Sequence, residues 1–255
     1  MNKKTITTSK PLVKDIIFIH GITSFGASHI EICKVLTKLG YNFHLFDLPG
    51  HGTKRKEWET HKFTFNDMLN FVNNYIDTNI KNRPFIIMGH SMGGGITLAT
   101  CAKYKSQIKA VILECPLTPA VYNHTEDKGK VNFKDVKINL AKYRRMLKDN
   151  WRKLRANMFK WLSKDRCFAP LLINIGQSDA LDKIRKGVNS IDVPTLLIVG
   201  EKDKVIPPMA TSAYLQDHIN TLTTQIAIGS GHNPFADTPQ QYKEFVTDFL
   251  SKVNS

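Results

Sequence analysis

The sequence predicts an α/β fold with a mostly parallel central sheet flanked by helices and a helical insertion late in the chain. Three observations carry that expectation. Short apolar runs alternate with amphipathic segments from Ile16 to Leu113, and again from Pro194 to Val253. Strands separated by helices imply a parallel sheet covered on both faces. The chain has 255 residues, 42% hydrophobic and 23% charged, which suits one large domain with a sizeable core. No apolar run approaches the ~20 residues of a membrane span.

The elements follow in order. Ile16–His20 reads as a buried strand. Ile30–Leu39 has helical periodicity and is stopped by Gly40. Asn42–Phe46 is a second strand, ended by LPGHG. Phe65–Asn79 places Phe65, Met68, Leu69, Val72 and Ile76 on one helical face. Pro84–Met88 is the third strand, Met92–Tyr104 a helix and Ile108–Leu113 the fourth strand. The rhythm stops at residue 117 and resumes after Val193. Pro194–Val199 is a strand, Met209–His218 a helix, Leu222–Ile228 a strand and Pro239–Val253 a closing helix. The expected organisation is a core of residues 1–116 and 191–255 with a helical, strongly basic cap at 117–190.

Within that insertion Val136, Leu140, Tyr143, Leu147, Trp151, Leu154, Met158 and Trp161 recur at steps of three and four, an amphipathic-helix pattern. The pattern leaves open whether the helix is continuous or broken near Asp149–Asn150. The formal net charge is +14. Residues 128–166 supply fourteen Lys/Arg against three Asp. Such a face is either simply solvated or an electrostatic docking surface. Peripheral contact with an anionic membrane through 128–166 fits the pattern, as does attraction of an acidic substrate. Charge alone also admits nucleic acid, but no nucleic-acid motif accompanies it. No apolar segment of signal-peptide length follows the basic N-terminus, so the expected location is cytoplasmic, extending to peripheral at the membrane. Cys33, Cys101, Cys115 and Cys167 are scattered without metal-ligand spacing and read as buried thiols of a reducing compartment.

The chemistry concentrates at MGHSMGGG, residues 88–95. Ser91 lies between a strand and a helix, in the G-x-S-x-G pattern of a nucleophile elbow. Glycines flanking such a turn relieve crowding. A serine hydroxyl needs a base, and the base needs a group that fixes its tautomer. Asp203 follows the strand in VPTLLIVGEKDKVIPP, with Glu201 slightly earlier in the turn. His232 follows the last strand in AIGSGHNPFADTP. Strand C-termini of an open α/β sheet share one edge, so Ser91, Asp203 and His232 are expected to meet there. The oxyanion donors expected are the backbone N–H groups of Met92, after the serine, and Ile22, in HGITSFGASH. His20, His51 and His90 read as structural. No metal and no organic cofactor is required.

Together FIHGIT, DLPGHG, MGHSMGG, LLIVGEKDKVIPP and SGHNPFADTP resemble the α/β-hydrolase superfamily, and within it the esterase/lipase branch that includes monoglyceride-lipase-like enzymes. The resemblance runs from about Ile16 to Phe249 outside the insertion. It implies Ser91 as nucleophile, His232 as base, Asp203 as acid and the insertion as a lid. Two features depart from the family pattern. Only about fifteen residues precede the first strand, enough for one short strand rather than the usual pair. The oxyanion loop reads HGI and not HGGG, which disfavours esters of bulky tertiary alcohols. The expected activity is hydrolysis of carboxylic esters, of acyl-glycerol or similar lipid-derived type, through an acyl-enzyme on Ser91. A thioesterase or another reaction of the same machinery is the alternative. A catalytically silent ligand-binding protein is the alternative of another class.

Overall fold

In the computed structural model, residues 13–122 and 168–253 are described. They form six strands in the order β2-β1-β3-β4-β5-β6, every neighbouring pair parallel. The strands are β1 Asp15–Ile19, β2 Asn42–His44, β3 Phe85–His90, β4 Ile108–Glu114, β5 Thr195–Gly200 and β6 Leu222–Ala227. β1, β3 and β5 are buried at every residue, which explains their unbroken apolar runs. The mostly parallel α/β expectation is met. The expected short strand before β1 falls largely on residues 1–12, outside the described residues.

The two-residue period of the strands sorts the core into two halves. Ile17, Ile19, Phe85, Ile87, Val111, Leu113, Leu197 and Val199 face one cluster. Ile16, Phe18, Ile86, Met88, Ala110, Ile112, Leu196 and Ile198 face the other. Three helices cover the first face: α2 Phe65–Tyr75, α3 Met92–Cys101 and, later in the chain, α5 Ser178–Val188. The second face takes α1 Ile30–Lys38 and α8 Pro239–Val253. The remaining helices are α4 Ala169–Asn174, α6 Pro208–His218 and the short α7 Pro234–Asp237.

Local signals set several boundaries. Thr64 and Asp67 form a reciprocal capping box at the start of α2, satisfying two otherwise unpaired helix donors. The helix expected over 65–79 is α-helical to Tyr75 and then widens into a π-turn at Ile76–Ile80. β2 is three residues long, not the five of Asn42–Phe46.

The larger difference concerns the insertion. Helix α5 falls within the 117–190 stretch expected as cap, yet Ala180, Leu181, Ile184 and Val188 belong to the main core cluster. Gly187 is the point of closest approach: a Cβ there would meet the Leu98 carbonyl oxygen of α3. The core therefore reclaims the chain before residue 190. The basic helix expected at 136–161, the charged stretch 128–166 and Cys167 lie outside the described residues.

The N-terminal end of the sheet is locked by polar contacts. Asp15, only 5% exposed, accepts from His44 Nε2 (2.9 Å), Asn42 Nδ2 (3.3 Å) and Arg83 Nε (3.0 Å). Burial opposes its charge, but these donors hold its carboxyl below the ordinary range. The opposite, C-terminal end carries the loops that build the site.

Candidate active site

Ser91 sits between β3 and α3 at φ 56°, ψ −120°, a conformation that an L-residue adopts at a cost of order 1–3 kcal/mol. The surroundings enforce it. Its N–H donates to Glu114 O (2.9 Å), and its carbonyl accepts from Leu117 N–H (2.8 Å) and Gly95 N–H (3.2 Å). The glycines on either side are needed for close approach. A Cβ at Gly93 would strike the Ile19 carbonyl, and one at Gly89 would strike Thr97 Oγ1 and the Gly93 carbonyl. The elbow is thus wedged between β1 and its own helix.

Asp203 follows β5 and His232 follows β6; His232 reaches Ser91, and Asp203 reaches His232. His232 Nδ1 lies 2.8 Å from Asp203 Oδ2 and His232 Nε2 lies 2.9 Å from Ser91 Oγ. An ionised carboxylate only accepts, so Nδ1 carries the imidazole proton. Nε2 is then the acceptor and the Ser91 hydroxyl donates to it. The Asp203 side chain is 1% exposed and that of His232 16%. Burial penalises the Asp203 charge. The His232 hydrogen bond and charge, with the N–H groups of Ile206 (3.0 Å) and Val205 (2.7 Å), outweigh it and hold the carboxyl below the usual range. Glu201 instead accepts from Gly229 N–H (2.8 Å), bracing the loop before His232.

That loop is held from two further sides. Asp237 Oδ2 accepts from Gly231 N–H (2.9 Å), and His90 Nε2–H donates to the His232 carbonyl (2.8 Å). The rings of His90 and His232 lie 4.9 Å apart. Burial, then the neighbouring His232, pushes the His90 pKa down to about 4, so His90 is a neutral strut at ordinary pH.

The loop after β1 lies against the elbow: a Cβ at Gly21 would come within 3.1 Å of Ser91 Cβ. It turns tightly, with Ser24 N–H donating to Gly21 O (3.2 Å) and Thr23 at φ 63°. His20 fixes its base. Nε2 accepts from Leu48 N–H (3.0 Å), so Nδ1 donates to Gly21 O (2.9 Å). Burial pushes the His20 pKa down to about 3. Ile22 is half-buried in this loop, and Met92 is the buried first residue of α3. The first N–H groups of a helix have no intrahelical acceptor, and those of α3 start beside the Ser91 hydroxyl.

Two groups near the site escape a reading of the sequence. Glu114, at the C-terminal end of β4, is fully buried. His29 Nε2–H donates to its Oε2 (2.7 Å), and the Tyr242 hydroxyl donates to Oε1. The His29 ring sits between Phe18 (4.0 Å) and Phe235 (3.8 Å). The one available signal is a glutamate closing an otherwise apolar strand; its partners are 85 and 128 residues away. The second group is Cys115, buried and at φ 41°. Its sulfur stands with the Asp203 and His232 donor atoms inside a 4.8 Å cluster. Of the other cysteines, Cys101 is a buried thiol as expected, while Cys33 is half-exposed.

A family model described as serine aminopeptidase, S33, matches residues 11–239. A Mycoplasma pneumoniae protein named "Putative esterase/lipase 2" is 27% identical over 246 residues, covering 94% of this chain and 90% of the relative. Monoacylglycerol lipase ABHD6 of Bos taurus is 22% identical, covering 94% of this chain and 76% of its own length. Among solved structures, an esterase from Exiguobacterium antarcticum superposes with a TM-score of 0.69 at 20% identity, covering 94% of this chain and 93% of that one. The monoacylglycerol lipase of Paleococcus ferrophilus gives 0.65 at 17% identity and 94% coverage of both. At such identities the two structures speak for the fold.

Proposed function

The chain belongs to the serine aminopeptidase S33 family of α/β hydrolases, and from that premise we propose that it is a serine hydrolase of carboxylic esters. The observation that carries the reading is the continuous hydrogen-bonded line Asp203–His232–Ser91, with bonds of 2.8 and 2.9 Å. In this reading the Ser91 Oγ attacks the ester carbonyl as its proton passes to His232 Nε2. Asp203 keeps the imidazole in the Nδ1–H tautomer and stabilises its cation. The N–H groups of Met92 and Ile22 receive the tetrahedral oxyanion. His232 then protonates the departing alcohol, and water releases the acid by the reverse path.

Relatives named esterase/lipase and monoacylglycerol lipase favour small or lipid-derived ester substrates. The insertion expected at 117–190 is read as the source of a lid, and its basic stretch at 128–166 as a contact for anionic lipid. No helix of the described residues is long and apolar enough to cross a membrane. The family description favours a second reading, peptide-bond cleavage at an N-terminus.

A panel of p-nitrophenyl esters set against aminoacyl p-nitroanilides separates the two. Ester turnover is expected. Ser91→Ala should abolish it, and Asp203→Asn should lower kcat by about 10⁴-fold through the wrong tautomer. Equal turnover by wild type and Ser91→Ala would remove Ser91 from the reaction. Failure of a fluorophosphonate to label Ser91 in folded protein would favour a silent binding protein.

A further inference from the structure

We infer that Cys115, His232 and Asp203 form an inhibitory site for Zn²⁺ or a similar thiophilic divalent cation. The inhibitory effect rests on the hydrolase reading; the binding does not. Among the described residues this is the one group of three His, Cys, Asp or Glu donors close enough to share an ion, its ligand atoms all lying within 4.8 Å of one another. Zinc bound at ordinary lengths, about 2.3 Å to sulfur and about 2.0–2.2 Å to nitrogen or oxygen, sets tetrahedral ligands roughly 3.4–3.6 Å apart. The cluster needs only a small adjustment to reach that spacing. The His232–Asp203 contact, now 2.8 Å, opens slightly, and the sulfur closes in.

The surroundings orient these ligands; burial and then the Asp203 charge push the Cys115 thiol well above its ordinary range, so the ion has to displace that proton. Asp203 is already oriented by Val205 and Ile206 N–H groups on its other oxygen, leaving Oδ2 for the ion. Cys115 is anchored by its N–H bond to Ile198 O (2.8 Å). The backbone of His232 is held by the His90 Nε2–H bond to its carbonyl (2.8 Å). The charge also balances. Zn²⁺ with one thiolate, one carboxylate and a neutral imidazole makes a neutral centre, which a buried site accommodates far better than an unpaired ion. Thiolate and imidazole together select zinc over magnesium or calcium.

The consequence for the reaction follows from proton positions. In the metal-free site Nδ1 carries the proton and Nε2 accepts from Ser91. Zinc takes the Nδ1 lone pair, so the imidazole proton moves to Nε2. The thiol proton leaves to solvent, one proton per ion bound. An Nε2–H imidazole cannot accept the serine proton, and the hydroxyl loses its base. The ion thus stops the reaction without touching Ser91.

Equilibrium dialysis of Zn²⁺ against Ser91→Ala, which keeps all three ligands, should show one tightly held ion per chain. Adding Cys115→Ser should remove that ion and leave weaker surface binding unchanged. In the Ser91 background, zinc should inhibit ester hydrolysis at least about tenfold more potently for the wild type than for Cys115→Ser, each scaled to its own uninhibited rate, with recovery on adding EDTA. Equal zinc occupancy with and without the thiol would overturn the site. Equal inhibition of the two enzymes would overturn the mechanism of inhibition. If no ester is turned over but the thiol-dependent ion is still held, the binding site stands and the hydrolase reading falls.

Discussion

Mild acid should unfold this protein, and the buried histidines set the size of the effect. Burial lowers the pKa of His20 from 6.5 to about 3, and those of His51 and His90 to about 4. Between 6.5 and those folded values the unfolded chain binds protons that the native chain refuses. Stability therefore rises with pH across that window and falls on acidification. From pH 7 to pH 5, each imidazole that stays neutral in the fold costs about 1.9 kcal/mol. Three such groups amount to about 5–6 kcal/mol, comparable with the whole stability of many domains, about 5–15 kcal/mol. The sum is insensitive to the folded values, because pH 5 lies above all three. The depressed carboxyls of Asp15, Asp47, Glu114 and Asp203 act in the same direction. Their contribution is present above the unfolded carboxyl pKa and is lost lower still, as pH falls through the folded values. Equilibrium urea unfolding at pH 7, 6 and 5 measures the effect directly. His51→Gln should remove about a third of the pH-dependent part. A change below about 1 kcal/mol between pH 7 and 5 would mean that the native state accepts these protons, and the reasoning from burial would fail.

Two substitutions test the packing. A methyl at Gly187 would lie 1.7 Å from the Leu98 carbonyl oxygen. Gly187→Ala should therefore push α5 off α3 and cost about 3 kcal/mol or more, seen as a lower urea midpoint at unchanged ester specificity. Glu114→Gln breaks the fully buried pair with His29 and should cost about 3–5 kcal/mol. Tyr242→Phe removes only the neighbouring hydroxyl donor and should cost about 1–3 kcal/mol. A reversal of that order would show that Tyr242, and not His29, is the main partner of Glu114.

The sequence is most readable where burial is symmetrical. β1, β3 and β5 appear as continuous apolar runs because both faces are covered, and each lies within a residue or two of its expected limits. Helix α5 is harder to see. SDALDKIRKGV carries its apolar residues at helical spacing, but the basic stretch before it dominates the composition of the region. What assigns it to the core is a glycine fitted against Leu98, a tertiary fact. At the site, Ser91, Asp203 and His232 could be expected to meet because each follows its own strand. Cys115 also follows a strand, yet nothing in LECPL distinguishes a thiol beside the acid from a filler of the core. His90 reads as structural in the sequence, and its bond to the His232 carbonyl depends on a loop 142 residues away.

The Asp15 lock with His44, Asn42 and Arg83 sits at the end of the sheet away from Ser91. This lock is thereby separated from the loops that shape the site. A mutagenesis library aimed at new esters can randomise the turns near Ile22 and Val205 while the four locking residues stay fixed. Variants drawn from it should differ widely in turnover yet melt within a narrow range of temperatures.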